Sequence, residues 1–187
     1  MSDERTRRST RLNLIAIATV GLLPFVGSYL LYWLWKPDAF VNYGELLAAP
    51  LPELQAQTAL PQLKGKWAFL MVDSGACDDW CRRKLYIMRQ VRLTQGKDME
   101  RVERVWLVDD ALAPSAALVG EYAGTYLLQA PGSALLAKLP AVTSARDHVY
   151  LVDPLGNLVL RYPRDADPSR VKKDLSRLLR ASRIGRG

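Results

Sequence analysis

Lys66–Leu93, KWAFLMVDSGACDDWCRRKLYIMRQVRL, is the stretch whose reading decides the fold. Its first part is a compact apolar run between Gly65 and Gly75 and reads as a buried strand. In its second part Cys81, Leu85, Met88 and Val91 recur at helical spacing, while Arg82, Arg83, Arg89 and Arg92 take the other faces. Gly96 offers that helix an end. The two cysteines of the chain, Cys77 and Cys81, stand where the strand hands over to the helix, one helical turn apart.

That position supports more than one chemistry. Unpaired N–H groups and the macrodipole at a helix start stabilise a thiolate. Arg82, Arg83 and Lys84 favour one as well, whereas Asp78 and Asp79 oppose it. Two sulfurs so placed close a small disulfide where the first turn is irregular, or hold a soft ion such as Cu(I). A purely structural disulfide and inert buried thiols are the plainer readings. For a metal, the single histidine, His148, is the candidate third ligand, beside the thioethers of Met1, Met71, Met88 and Met99. The plainer reading of His148 is a strand residue with no ligand role.

Working outward, RVERVWLVDD (Arg101–Asp110) reads as a second strand and APSAALVGEYAG as a second helix, with Ser115 near its cap and Gly124 at its end. After a less regular stretch, HVYLVDPLGNLVLRYP gives two strands around the tight turn Asp153-Pro154-Leu155-Gly156. The last helix has Asp167 as N-cap, Pro168 at its first position and Gly185 beyond its end. Its apolar stripe is Val171, Leu175, Leu178 and Leu179. Strand, helix, strand, helix, hairpin and closing helix make an α/β domain of the thioredoxin arrangement. Ahead of it, the proline-spaced stretch from Pro37 to Leu63 reads as a linker in which NYGELLAA forms a short helix.

The N-terminus sets the compartment. Arg5, Arg7, Arg8 and Arg11 precede a charge-free run from Leu14 to Trp35, which matches the roughly 20 residues that cross a bilayer as helix. Pro24 is tolerable within it, and Tyr29, Tyr32, Trp33 and Trp35 form an aromatic belt at its far end. A cleaved signal peptide would have a shorter apolar core followed by small residues; here the run ends in Tyr-Trp-Leu-Trp-Lys, as an uncleaved anchor does. The arginines place the N-terminus in the cytoplasm and everything after Lys36 outside, which in a bacterium is the periplasm, where a disulfide persists. The divisions are therefore 1–13 as a basic cytoplasmic tail, 14–35 as anchor, 36–64 as linker and lead-in, and 65–187 as the periplasmic domain. The net charge of +7 comes mainly from the two ends, with no basic–aromatic interleaving between them, so nucleic acid is not an expected partner.

GKWAFLMVDSGACDDWCRRKLYIMRQV resembles the segment of the Sco/SenC family of cytochrome oxidase assembly proteins in which a GKW strand leads into C-x-x-x-C. HVYLVDPLGNLV is similar to that family's last hairpin. With NYGELL, LYIMRQVR and ASRIG the chain also looks like a group of small proteobacterial inner-membrane proteins associated with haem-copper oxidase assembly. The resemblance covers roughly Gly65 to the C-terminus. It implies a single membrane anchor, a thioredoxin-like domain outside the membrane, Cu(I) as cofactor, and oxidase subunits or other assembly factors as partners. Cys77 and Cys81 would then act as a thiol–disulfide reductant or as a Cu(I) carrier with His148. In the redox version Cys77 attacks and Cys81 resolves. The chain departs from the family in two places: Arg82 stands where proline usually follows the second cysteine, and the family's copper histidine falls at Ala145 rather than His148. A membrane-anchored scaffold with a structural disulfide is the rival reading. A generic periplasmic reductant is a third, weakened by the absence of C-x-x-C and of a proline directly before the hairpin strand.

Overall fold

A computed structural model of the chain describes residues 2–34, 42–50 and 63–182. It divides into two units, residues 1–41 and 42–187. The first is a single helix, α1 (Ser2–Leu34), whose stretch Asn13–Leu34 is long and apolar enough to cross a membrane. Trp35 of the expected aromatic belt lies outside the described residues.

The second unit is a six-stranded mixed sheet in the order β1-β6-β5-β2-β3-β4. Its strands are β1 (Glu45–Pro50), β2 (Trp67–Asp73), β3 (Val102–Val108), β4 (Thr125–Gln129), β5 (His148–Val152) and β6 (Asn157–Pro163). Strands β2, β3 and β4 run parallel, whereas β5, β6 and β1 pair antiparallel. The helices are α2 (Asp79–Leu93), α3 (Ala116–Glu121), α4 (Ala134–Lys138) and α5 (Pro168–Ala181). Every residue of β2 and β3 is buried, Glu103 and Arg104 of β3 included, as expected of central strands covered on both faces.

The two sheet faces carry separate cores. Phe69, Met71, Trp106, Val149 and Leu151 pack with α2 and α5 on one face, which also takes Cys77 and Cys81. Leu70, Val72, Val105, Leu107 and Tyr150 pack with Leu135 and Leu139 on the other. Burying each large apolar side chain contributes about 1.5–3 kcal/mol, so the alternation along β2 and β5 fixes which residue faces which layer.

The caps expected for the later helices are present. Ser115 accepts from the Leu118 N–H and Asp167 from that of Ser169, with Pro168 in the first turn of α5. The hairpin turn places Gly156 at φ 87°, where a side chain would be strained. Helix α2 ends earlier than expected, at Leu93 with Thr94 as its cap, and Gly96 instead opens a short 3-10 helix.

One assignment is corrected. NYGELLAA is not a short helix in a linker: Glu45–Pro50 is an edge strand whose Glu45 and Leu46 pair with Arg161 and Leu160. The open edge of β6 supplies the hydrogen bonds. The entry is pinned by Asp174 of α5, which accepts from the N–H groups of Tyr43 and Gly44, both at 2.9 Å. Tertiary pairing overrides the local helical preference of Leu-Leu-Ala-Ala. The stretch read as irregular also contains β4 and α4.

Candidate functional site

Strand β2 delivers the site and α2 carries it. After Asp73 the chain leaves the sheet through Ser74-Gly75-Ala76, and Asp78 caps α2 by accepting from the Cys81 N–H at 2.9 Å. Cys77 therefore stands just ahead of the helix and Cys81 lies in its first turn. Cys77 has a φ of 47°, in the left-handed region that non-glycine residues seldom occupy. That irregular step turns the Cys77 side chain back over the helix start, and the two cysteines are joined as a disulfide with Cα atoms 5.1 Å apart. Cys81 is fully buried, while Cys77 retains 4% exposure.

A network of polar groups holds this corner. Asp110 accepts from the Gly75 and Leu112 N–H groups, both at 3.1 Å, and the Ser74 hydroxyl and the Gly75 N–H hold its carboxyl below the usual range. Gly75 is required: a Cβ there would lie 1.9 Å from the Leu112 carbonyl oxygen. Arg146 makes a two-pronged contact with Asp109 at 2.7 and 2.8 Å, which raises its pKa. On the helix side Trp80 is 43% exposed and is covered by Arg164, whose guanidinium sits 4.3 Å from the ring centre and pairs with Asp147 at 3.2 Å.

Beneath lies a group that the sequence reading counted only as a charge near the thiols. Lys84 is fully buried, one turn beyond Cys81, and its Nζ meets Asp73 Oδ2 at 2.7 Å. The same ammonium donates to the carbonyls of Val72 at 2.8 Å and Arg146 at 2.6 Å. Burial lowers its pKa, and Asp73 opposes that shift. All three protons are thus committed, and Lys84 ties β2, the cysteine helix and the turn before β5 together. The sequence signal was available: an ionisable residue between Cys81 and Leu85, inside the apolar stripe, calls for a buried counter-ion, and Asp73 closes the preceding strand.

His148 is placed differently. Strand β5 alternates, so His148 shares the face of Tyr150, opposite to that of Val149, Leu151 and the cysteines. Its ring lies 5.9 Å from that of Tyr150. Burial and then the charge of Arg161 lower its pKa, against an opposing backbone influence of Tyr162. The structure brings Cys77 and Cys81 together and leaves His148 on the other side of the sheet. Met71 and Met88, fully buried, belong to the same core as the cysteines. Among the described residues no three His, Cys, Asp or Glu side chains are grouped as a metal site.

The arrangement is a disulfide at the mouth of a helix. In the thiol form it presents two soft donors that suit Cu(I).

Residues 67–182 match the family described as transmembrane-like, thioredoxin-like, C-terminal domain. A comparison with curated proteins finds no match. Among solved structures the chain is similar to yeast Sco1 with copper bound, at 19% identity over 64% of this chain and 82% of that one, with a TM-score of 0.51. It is also similar to apo Sco1 from Thermus thermophilus, at 16% identity over 79% of this chain and 99% of that one, with a TM-score of 0.50. At such identities the likeness is one of fold alone. With the match spanning most of the sheet and both of its longer helices, the chain belongs to the family of transmembrane-like proteins with a thioredoxin-like C-terminal domain.

Proposed function

We propose that this chain is a membrane-anchored assembly factor for haem-copper oxidases that works by thiol–disulfide exchange at Cys77 and Cys81. The observation that carries the reading is the closure of the two cysteines at the start of α2, at the end of the first parallel strand. Arg5, Arg7, Arg8 and Arg11 before the apolar stretch support a cytoplasmic N-terminus and a domain on the periplasmic side. In the reduced form the Cys77 thiolate attacks one sulfur of a partner disulfide and releases the partner's first thiolate. Cys81 then attacks the Cys77 sulfur, closing the internal disulfide and releasing the second partner thiol. Two electrons pass to the partner, and another dithiol must restore them. Cys77 takes the attacking role because it alone of the pair keeps any exposure.

The test uses the full chain in non-ionic micelles with Cys81→Ser. Mixed with a peptide containing an oxidised Cys pair of the copper-site type, the variant should accumulate a reductant-sensitive 1:1 adduct. Cys77→Ser should give none. No adduct with either variant refutes exchange and leaves the scaffold reading.

A second reading is supported by the convergence of two soft sulfurs: reduced Cys77 and Cys81 carry Cu(I) as cargo for the same client, copper being the metal bound in the yeast Sco1 structure of like fold. His148 as third ligand would require a shift of β5 that reverses its facing. Competition against a Cu(I) chelator decides the matter: either serine variant should remove most affinity, and His148→Ala should change it little. Equal competition by wild type and both serine variants refutes the cargo reading.

A further inference from the structure

Helices α2 and α5 pack on one face of the sheet and bury their apolar stripes in the same core. The Ser176 hydroxyl of α5 donates to Gln95, just past the end of α2, at 2.9 Å. Their outward faces are basic. On α5, Arg170, Lys172, Lys173, Arg177 and Arg180 are exposed, while its one acid, Asp174, is buried. On α2, Arg82, Arg83 and Arg89 are exposed, and Tyr86 (43% exposed) and Leu93 (48%) share the stripe of Arg82 and Arg89. Asp79, in the first turn of α2, is the one exposed acid of the two helices. At the borders Glu121 of α3 lies 4.0 Å from Arg82, and Asp98 pairs with Arg101 at 2.9 Å.

So one-sided a charge fits an extended anionic surface, and the path of the chain decides which kind. The chain enters the domain on α5: the N–H groups of Tyr43 and Gly44 donate to Asp174 at 2.9 Å, and the Arg170 guanidinium sits 4.0 Å from the centre of the Tyr43 ring. In sequence only residues 35–41 stand between Leu34, where the apolar helix ends, and Asn42. Fully extended, such a stretch reaches about 30 Å at most. A bilayer crossed by Asn13–Leu34 is therefore within reach of this entry point, at an effective concentration on the order of millimolar. A soluble acidic partner has no such advantage. Basic residues interleaved with tyrosine and leucine also have the composition that settles at a headgroup layer.

We propose that the outward faces of α5 and α2 form a docking surface for a bilayer rich in anionic headgroups. The lysines and arginines meet the lipid phosphates, and Tyr86 and Leu93 reach the boundary beneath them. Each cation near such a surface contributes roughly a fivefold factor to binding, and salt screens the attraction. Docking requires that Asn13–Leu34 anchor the chain, as proposed above, and is independent of the chemistry of Cys77 and Cys81.

The test places the full chain in nanodiscs of phosphatidylcholine, alone or mixed equally with phosphatidylglycerol. Lysines are acetylated under single-hit conditions and the products counted by peptide mass spectrometry. Lys172 and Lys173 should react about 10-fold or more slowly in the anionic discs, since even two such cations favour the docked state by about 25-fold. Lys138 of α4, exposed across the sheet, should react equally in both discs. Salt near 1 M, where charges are screened beyond about 3 Å, should erase the difference. Arg177→Glu/Arg180→Glu changes two exposed side chains and should also erase it; an unchanged Lys138 rate and circular dichroism show that this variant is folded. A chain carried by neither kind of disc overturns the anchor and the docking together. A chain carried by both, with Lys172 and Lys173 equally reactive in the two, overturns the docking alone and leaves an acidic protein as the partner that the charge fits. Slowing that survives both the double variant and high salt overturns it as well.

Discussion

Replacing Lys84 by methionine should be among the most damaging single changes in the domain. The substitution keeps the length of the chain and removes the ammonium that sits 2.7 Å from Asp73 Oδ2 with no exposure to solvent. Asp73, itself buried, would then hold a negative charge with the Ser74 N–H at 2.9 Å as its hydrogen-bond donor and Arg146 as a weaker electrostatic partner. The carbonyls of Val72 and Arg146 would each lose a donor. Removing one partner of a buried pair costs about 3–5 kcal/mol, because the other charge stays behind. Removing both is far cheaper, so Lys84→Met/Asp73→Val should recover more than half of that loss, with the two bare carbonyls accounting for the remainder. Urea unfolding of the full chain in micelles, read from the fluorescence of buried Trp67 and Trp106, measures the difference. With a slope of about 1–3 kcal/mol/M the single variant should lower the midpoint by 1 M or more. A loss below about 1 kcal/mol for the single variant, or a double variant weaker than the single, would refute the reasoning.

Gly75→Ala must displace the Leu112 backbone, since its Cβ would lie 1.9 Å from that carbonyl oxygen, and it should cost about 1–3 kcal/mol in the same unfolding assay. His148 has its pKa held below 6.5 by burial and Arg161, so the folded chain resists taking up a proton that the unfolded chain accepts. Stability should accordingly be full above pH 6.5 and fall as pH drops from there toward the folded value; His148→Leu should remove that part of the slope, and identical slopes for variant and wild type would contradict it. Asp110→Asn weakens the acceptor of the Gly75 and Leu112 N–H groups, and it should speed reduction of the disulfide by dithiothreitol, measured by alkylation, with little change in the fold's circular dichroism.

The cysteine corner was legible because its signals are local. A buried apolar run, two cysteines and an amphipathic stripe lie within 28 consecutive residues, and strand and helix periods differ enough to be told apart. The caps at Ser115 and Asp167 were readable for the same reason. What escaped depends on partners distant in sequence. Strand β1 exists because β6 offers an edge and Asp174, 130 residues on, anchors Gly44. The Lys84–Asp73 pair and the hold of Asp110 on Gly75 need the sheet register before they can be seen. The facing of His148 turned on a single step of alternation: Val149 packs with the cysteines, so its neighbour cannot. Chain proximity to Tyr150 could not reveal that without the pairing of β5 with β2.

The central claim is that Cys77 and Cys81 form a working disulfide rather than a structural one, and its equilibrium with a thiol buffer tests this most directly. The full chain is equilibrated anaerobically over a series of reduced-to-oxidised glutathione and dithiothreitol ratios, and the two thiols are counted by alkylation and mass. The account predicts complete, reversible opening in the folded state, with a reduction potential above about −300 mV, the range of labile and catalytic pairs. A bond that opens only when the domain is unfolded, or a potential well below that value, would contradict exchange chemistry and make the disulfide a staple of the fold.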